Sequence, residues 1–161
     1  TGIRGIRSVV HSLRPSLLDD LGLLPALRSL ITEFTERSGL AVTLEAPGTV
    51  AALSKDAELA LFRALQEALS NVARHAEAKS IAVSIWQDGG ALTLTVQDDG
   101  RGLPEGITPA TIERPGHMGI TGMRERIGAL GGTVMVEAPE GDGVKILVAV
   151  PLAGARSPTK D

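Results

Sequence analysis

Cysteine and tyrosine are absent from this 161-residue sequence, and aromatic residues make up only 2% of it. Without cysteine there is no disulfide and no thiolate zinc site, which fits a reducing compartment. So few aromatics argue against a surface that stacks nucleic-acid bases, and they require an aliphatic core. An excess of positive charge is also missing. Sixteen Lys and Arg stand against nineteen Asp and Glu, a net charge of -3, so there is no basic footprint for nucleic acid or an acidic membrane. Nor does any apolar run approach the ~20 residues that span a bilayer.

What is present suits one buried core: 43% of the residues are hydrophobic, and the length fits one domain. The chain opens on Thr1 in what reads as mid-helix, and we expect a piece of a longer protein. Ile3, Ile6, Val9, Val10 and Leu13 recur at helical spacing until Pro15 ends or bends the run. A second helix is predicted over Leu23–Ser38, with Gly39 as its stop. "LAVTLEA" (40–46) alternates as a strand does. Ser54 suits the N-cap of a long helix, with Asp56 in its first turn.

"SIAVSIWQ" and "ALTLTVQ" flank Asp88-Gly89-Gly90, a hairpin signal. "DDGRGLPEGITPATIERPGHMG" has no periodicity and reads as a long loop, a length that is usually functional inside a domain. "ITGMRERIGAL" returns to helical spacing and stops at Gly131-Gly132. "TVMVEA" and "VKILVAVPL" are two more strands around the turn "PEGDG". The fold class expected is α/β, a two-layer sandwich with a mixed sheet covered by helices on one face. Residues 1–20 would be a helical remnant and hinge, 21–152 the domain and 153–161 a loose tail.

Three motifs carry chemistry. In "LFRALQEALSNVARHAEA" (61–78), Glu67, Asn71 and His75 step by four residues, which advances about 40° per step along one stripe of an α-helix. An amide oxygen there suits Mg²⁺, Glu67 suits a base or a metal-bound water, and Arg74 and His75 suit phosphate oxygens. The plainer reading is that Asn and His satisfy buried backbone groups. "DDGRG" follows a strand, so Gly100 and Gly102 permit a tight turn and leave Asp98 facing a pocket, able to accept from an exocyclic amine such as adenine's. Asp-Gly is equally a common turn pair. "GHMGITG" opens a helix with Gly116, Gly119 and Gly122, which suits phosphate, or is a flexible loop feeding that helix. No lysine (Lys55, Lys79, Lys145, Lys160) follows a glycine, so no Walker A motif is present. Scattered histidines make a zinc site improbable.

In this order, "QEALSNVARHA", "DDGRG" and "GHMGITGMRERIGALGG" resemble the Bergerat-type ATP-binding domain of sensor histidine kinases. The resemblance is to the subgroup that works with response regulators of the nitrate/nitrite and LuxR-like type. "LRPSLLDDLGLLPAL" (13–27) resembles that subgroup's joint between dimerisation helices and ATPase domain, and the likeness runs from about residue 3 to 152. It implies ATP and Mg²⁺ as cofactors, with Asn71 as metal ligand and Glu67 as candidate base and holder of a metal-bound water. Arg74 and His75 would meet phosphate, and Asp98 would read the adenine amine above Gly100 and Gly102. Gly116, His117, Met118, Gly119 and Ile120 would form the second glycine box at the triphosphate. Residues 103–118 would be a lid that orders around nucleotide.

The implied activity is that of an ATP-dependent protein histidine kinase. Its partners would be a response regulator and its own dimerisation domain, in a homodimer of the full-length kinase. The fragment itself would be cytoplasmic, on its own or as the cytoplasmic part of a membrane-bound sensor, with no direct contact to nucleic acid or membrane. Two positions depart from the family. Gly143-Val144 replaces a common Gly-Thr pair before the last strand, and the phosphoacceptor helix with its His-Asp pair is absent. His11 is followed by Ser12 and reads as an ordinary helix residue. A serine kinase of the anti-sigma-factor type and a degenerate nucleotide-binding scaffold are the alternatives. The "LRP…DDLGL" segment speaks against the first, and the full set Glu67, Asn71, Asp98 and Gly119 against the second.

Overall fold

The computed structural model describes residues 16–48, 50, 53–100, 120–138 and 143–152, and side chains there except those of Ser16, Leu17, His75 and Ala76. The periodic run 3–13, His11, Pro15, the turn 139–142 and the tail 153–161 lie outside the described residues. Among the described residues two helices come first, α1 (Ser16–Leu21) and α2 (Leu23–Ser38). Gly39 ends α2, its amide donating to the Thr35 carbonyl at 2.9 Å. Strand β1 (Ala41–Glu45) follows, then helix α3 (Lys55–Asn71). Ser54 caps α3, its hydroxyl accepting from the Ala57 amide at 3.0 Å, and Asp56 and Glu58 sit in the positive first turn.

Beyond Asn71 the structure departs from the straight helix expected of the sequence. Val72–Ala76 form a π-helical turn, and the Val72 amide is shared between the carbonyls of Ala68 and Leu69. The wider turn adds backbone per revolution, so the 40° drift per four residues stops at Asn71. Glu77, in the left-handed region at φ 52°, then turns the chain into the sheet.

Strands β2 (Ser80–Asp88) and β3 (Ala91–Asp98) pair antiparallel from Asp88 opposite Ala91 to Ile81 opposite Asp98. The two-residue turn needs positive φ at both positions, and Gly89 and Gly90 supply 61° and 83°. Helix α4 (Ile120–Gly128) and strands β4 (Thr133–Glu137) and β5 (Lys145–Pro151) complete the fold. The strand order is β1-β2-β3-β5-β4, with β1 parallel to β2 and every other pair antiparallel. This is the mixed sheet expected from the sequence.

Alternation along the strands fixes which face the helices cover. Ile81, Val83, Ile85, Leu92, Leu94, Val96, Ile146, Val148 and Val150 are buried, and they share one core with Leu61, Leu65 and Leu69 of α3 and Met123 and Ile127 of α4. Leu18 of α1 belongs to the same core. The other face carries Trp86 and Met135, 41% and 55% exposed, and a Ser84–Thr95 hydroxyl pair 3.0 Å apart.

The topology also decides where the motifs meet. α3 and its π turn return to the start of β2 through three residues, Glu77 to Lys79, so the Asn71 end of α3 lies at the β2 start. β3 runs antiparallel to β2 and ends there, at Asp98. β4 runs in the same direction as β3, and α4 enters β4 through a short turn, which leaves Ile120 at that same end. One end of the sheet therefore gathers Asn71, Asp98 and the start of α4.

The turn from α4 into β4 depends on space at Gly132. A Cβ there would overlap the Ala149 carbonyl of β5 and lie 2.8 Å from Ile127 Cγ2, whereas one on Gly128 would meet nothing within 4 Å. We expect Gly132→Ala to lower stability by about 1–3 kcal/mol. The control Gly128→Ala should be neutral or stabilising by up to about 1 kcal/mol. Urea denaturation midpoints of the two variants check this contrast.

Candidate functional site

Asp98 is the last residue of a central strand and only 5% exposed. A carboxylate in that position requires donors. The Gly100 amide donates to Asp98 Oδ1 at 2.8 Å, and the Asp98 amide donates to the Val144 carbonyl at 3.0 Å. Burial pushes the Asp98 carboxyl above its ordinary value. The Gly100 and Val144 amides pull it back, and the neighbouring Asp99 charge adds to the rise.

Gly143 makes this arrangement possible in two ways. Its φ of 74° lies where glycine is favoured, and a Cβ would overlap the Asp98 carbonyl and stand 2.6 Å from Oδ1. Holding Asp98 from this side is the work of Gly143 and of the Val144 backbone.

Asp99, which sequence reasoning left unassigned, acts as a strut. Its Oδ1 accepts from the amides of Lys79 and Ser80 at 2.8 and 3.0 Å, and its Oδ2 accepts from the Ser80 hydroxyl at 2.8 Å. These donors, the Ser80 amide foremost and then that of Lys79, lower its carboxyl to about 2. The signal was present in the sequence: counting outward from the two-glycine turn places Ser80 opposite Asp99. Adjacent carboxyls at one strand end are thus moved in opposite directions, one by burial and one by donors.

On the helix side, Asn71 is 1% exposed and belongs to the buried face of α3. Arg74, in the π turn, donates to Asn71 Oδ1 at 3.1 Å and lies 3.5 Å from Glu67 Oε2. One guanidinium thus bridges an amide oxygen and a carboxylate that four-residue spacing placed on one stripe. The backbone of His75 is in the π turn and its side chain lies outside the described residues. Gly102, Gly116, His117, Met118 and Gly119 lie outside them too. Ile120 is fully buried and opens α4 as a core residue.

Glu67 also borders a groove of about 420 Å³ between α3 and α4, lined by Arg63, Gln66, Glu67, Ser70 and Arg126. The sequence reading had not singled out the other four residues. Among the described residues no cluster of three or more His, Asp or Glu could cage a metal by itself. A cation here would need the mixed set of Asn71 Oδ1, the Glu67 carboxylate and oxygens from a ligand. Such hard oxygen donors suit Mg²⁺, which keeps part of its shell for phosphate and water. No helix among the described residues is long and apolar enough to cross a membrane.

Comparison with known proteins gives consistent results. Residues 56–154 match the family described as histidine kinase-, DNA gyrase B-, and HSP90-like ATPase. The sensor histidine kinase MctS of Rhizobium johnstonii is 41% identical over 138 residues, covering 86% of this chain and 30% of MctS. The signal transduction histidine-protein kinase/phosphatase UhpB of Salmonella typhimurium is 39% identical over 142 residues, 88% of this chain and 27% of UhpB. The chain thus spans less than a third of either relative. In structure it is similar to the Erythrobacter litoralis EL346 blue-light activated histidine kinase. That likeness has a TM-score of 0.67 at 24% identity over 81% of this chain and 42% of the other, a likeness of fold.

The Asp99 strut carries a pH signature. Its carboxyl is lowered on folding from the ordinary range near 4 to about 2, so its contribution is complete above about pH 4 and is lost as pH falls toward 2. Asp99→Ala should lower Tm at neutral pH, and the gap from wild type should narrow as pH drops through that window. Thermal melts of both proteins from pH 7 downward check the trend.

Proposed function

The chain belongs to the histidine kinase-, DNA gyrase B-, and HSP90-like ATPase family, and from that premise we propose that it is the catalytic domain of a two-component sensor histidine kinase. It binds Mg-ATP and presents the γ-phosphoryl group to a histidine on another segment of the kinase. The observation that carries this reading is the buried, donor-held carboxylate of Asp98 at the same sheet end as Asn71. A buried carboxylate acting as an acceptor discriminates for an amine-bearing base, because a carbonyl in the amine's place would face it acceptor to acceptor.

Each residue then has a task. Asp98 Oδ accepts from the adenine amine, with Gly100 and Gly102 shaping the floor beneath the base. Asn71 Oδ1 and, through a water, Glu67 would hold Mg²⁺, which supplies neutralisation of phosphate charge. Arg74, already across Asn71 and Glu67, is within a side chain's swing of a phosphate at the same wall, and His75 stands one residue on. The second glycine box, Gly116 to Ile120, would give backbone donors to the triphosphate, and residues 103–118 would close over it. Glu67 is the candidate base for the acceptor's proton.

We further place residues 1–20 as the end of a dimerisation helix and its hinge, 21–152 as the ATP-binding domain and 153–161 as a tail. The hinge would be anchored on the domain by Leu18. The kinase would act in the cytoplasm as a homodimer, passing its phosphoryl group to a response regulator with LuxR-type output. His11 is not the acceptor in this reading.

Calorimetry with ATP, with and without Mg²⁺, tests the assignment. Wild type should bind, Asp98→Asn should lose about tenfold or more in affinity, and Asn71→Ala should lose the gain that Mg²⁺ gives. Unaltered ATP binding by Asp98→Asn would contradict it.

A further inference from the structure

One guanidinium already stands on the two side-chain oxygens that a cation at this wall depends on. Arg74 Nη2 donates to Asn71 Oδ1 at 3.1 Å and lies 3.5 Å from Glu67 Oε2. The contact follows from helix geometry. Side chains on a helix lean toward its N-terminus, so an arginine in the π turn reaches back over the turns that carry Asn71 and Glu67.

The ends of this bridge differ in firmness. Asn71 is 1% exposed, and packing along α3 fixes where its amide sits. The side chains of Arg74 and Glu67 are 57% and 31% exposed, and an ion pair so open to water is weak. Asn71 is therefore a fixed acceptor and Arg74 a movable donor. A single oxygen serves two such cations poorly. A dication on Oδ1 and a guanidinium donating to the same atom would stand side by side with like charge. Glu67 faces the same choice, because its carboxylate meets either the guanidinium or a metal-bound water.

We infer that Arg74 is a built-in competitor of the divalent cation at Asn71 Oδ1. Arg74 and the metal hold that oxygen in turn, and Arg74 must swing outward, along its exposed side, before Asn71 can act as a metal ligand. The inference deepens the kinase reading and rests on it for the identity of the cation. Arg74 is thereby a positioning residue that sets how readily the wall accepts a metal, in addition to any contact it makes with phosphate.

The test is Mn²⁺ binding by the 161-residue chain without nucleotide, read by water-proton relaxation. Arg74→Met keeps an unbranched apolar stem and removes both charge and donors, and it should bind Mn²⁺ about tenfold more tightly than wild type. A merely structural contact would give no such gain when removed. In an Asn71→Leu background, where leucine suits the buried position, Arg74→Met should gain nothing because the contested oxygen is gone. Lys79→Met removes an equal charge at the same end of the sheet and should leave Mn²⁺ affinity within about twofold of wild type. Mn²⁺ binding by Arg74→Met that equals or falls below wild type would overturn the competition. A gain that survives Asn71→Leu, or that Lys79→Met reproduces, would overturn it too, since bulk charge would then account for the effect. Calorimetry with ATP separates this inference from its premise: a wild type that binds no ATP but shows the stated Mn²⁺ pattern would overturn the kinase reading and leave the competition in place.

Discussion

A carboxylate buried at the end of a central strand has to be supplied with donors and with space, and Asp98 receives both from segments far apart in sequence. Gly100 provides an amide two residues on, and the backbone of Val144 engages it at the entry to β5. Gly143 provides the space by having no Cβ. Each supply constrains the fold. β5 must enter beside the end of β3, which is why the strand order interposes it between β3 and β4. The turn after β3 must not drift, and Asp99 fixes it to the start of β2 through three hydrogen bonds. Burial raises the carboxyl at 98 above its ordinary value, while donors hold the one at 99 well below it, so two adjacent acids sit in opposite environments.

The same end of the sheet receives the C-terminal end of α3. α3 arrives with Asn71 on its buried face, and the change to a π turn brings Arg74 onto both Asn71 and Glu67. π turns occur often at functional sites because they redirect a helix's last residues without ending it. A buried carboxylate on the strand and oxygen donors on the helix thus lie at one end of the sheet.

Much of this was legible in the sequence because the signals are local. Ser54 as a cap, Gly39 as a stop, the Gly89-Gly90 hairpin and the alternation of β2 to β5 depend on neighbours within a few residues, and each fell where the pattern placed it. The order of motifs named the family, and similarity to sensor histidine kinases agrees with it. What escaped was non-local or continuous with something regular. The π turn follows an unbroken helical pattern, so periodicity could not reveal it. Gly143 matters through a contact 45 residues upstream, at Asp98, and nothing in its own neighbourhood says so. Asp99 was recoverable from hairpin register but was overshadowed by its neighbour. Arg63 and Arg126 lie 63 positions apart in sequence and come to line one groove only through the packing of α3 beside α4.

The central claim is that the Asp98 carboxylate recognises the amine of adenine, and a comparison of two nucleotides by NMR tests it most directly. On titration with Mg-ATP, the backbone amide signals of Gly100 and Val144, which flank the carboxylate, should shift and saturate. Mg-GTP, with a carbonyl where adenine has its amine, should leave them in place over the same concentrations. Equal shifts with both nucleotides, or shifts confined to residues remote from Asp98, would contradict the account.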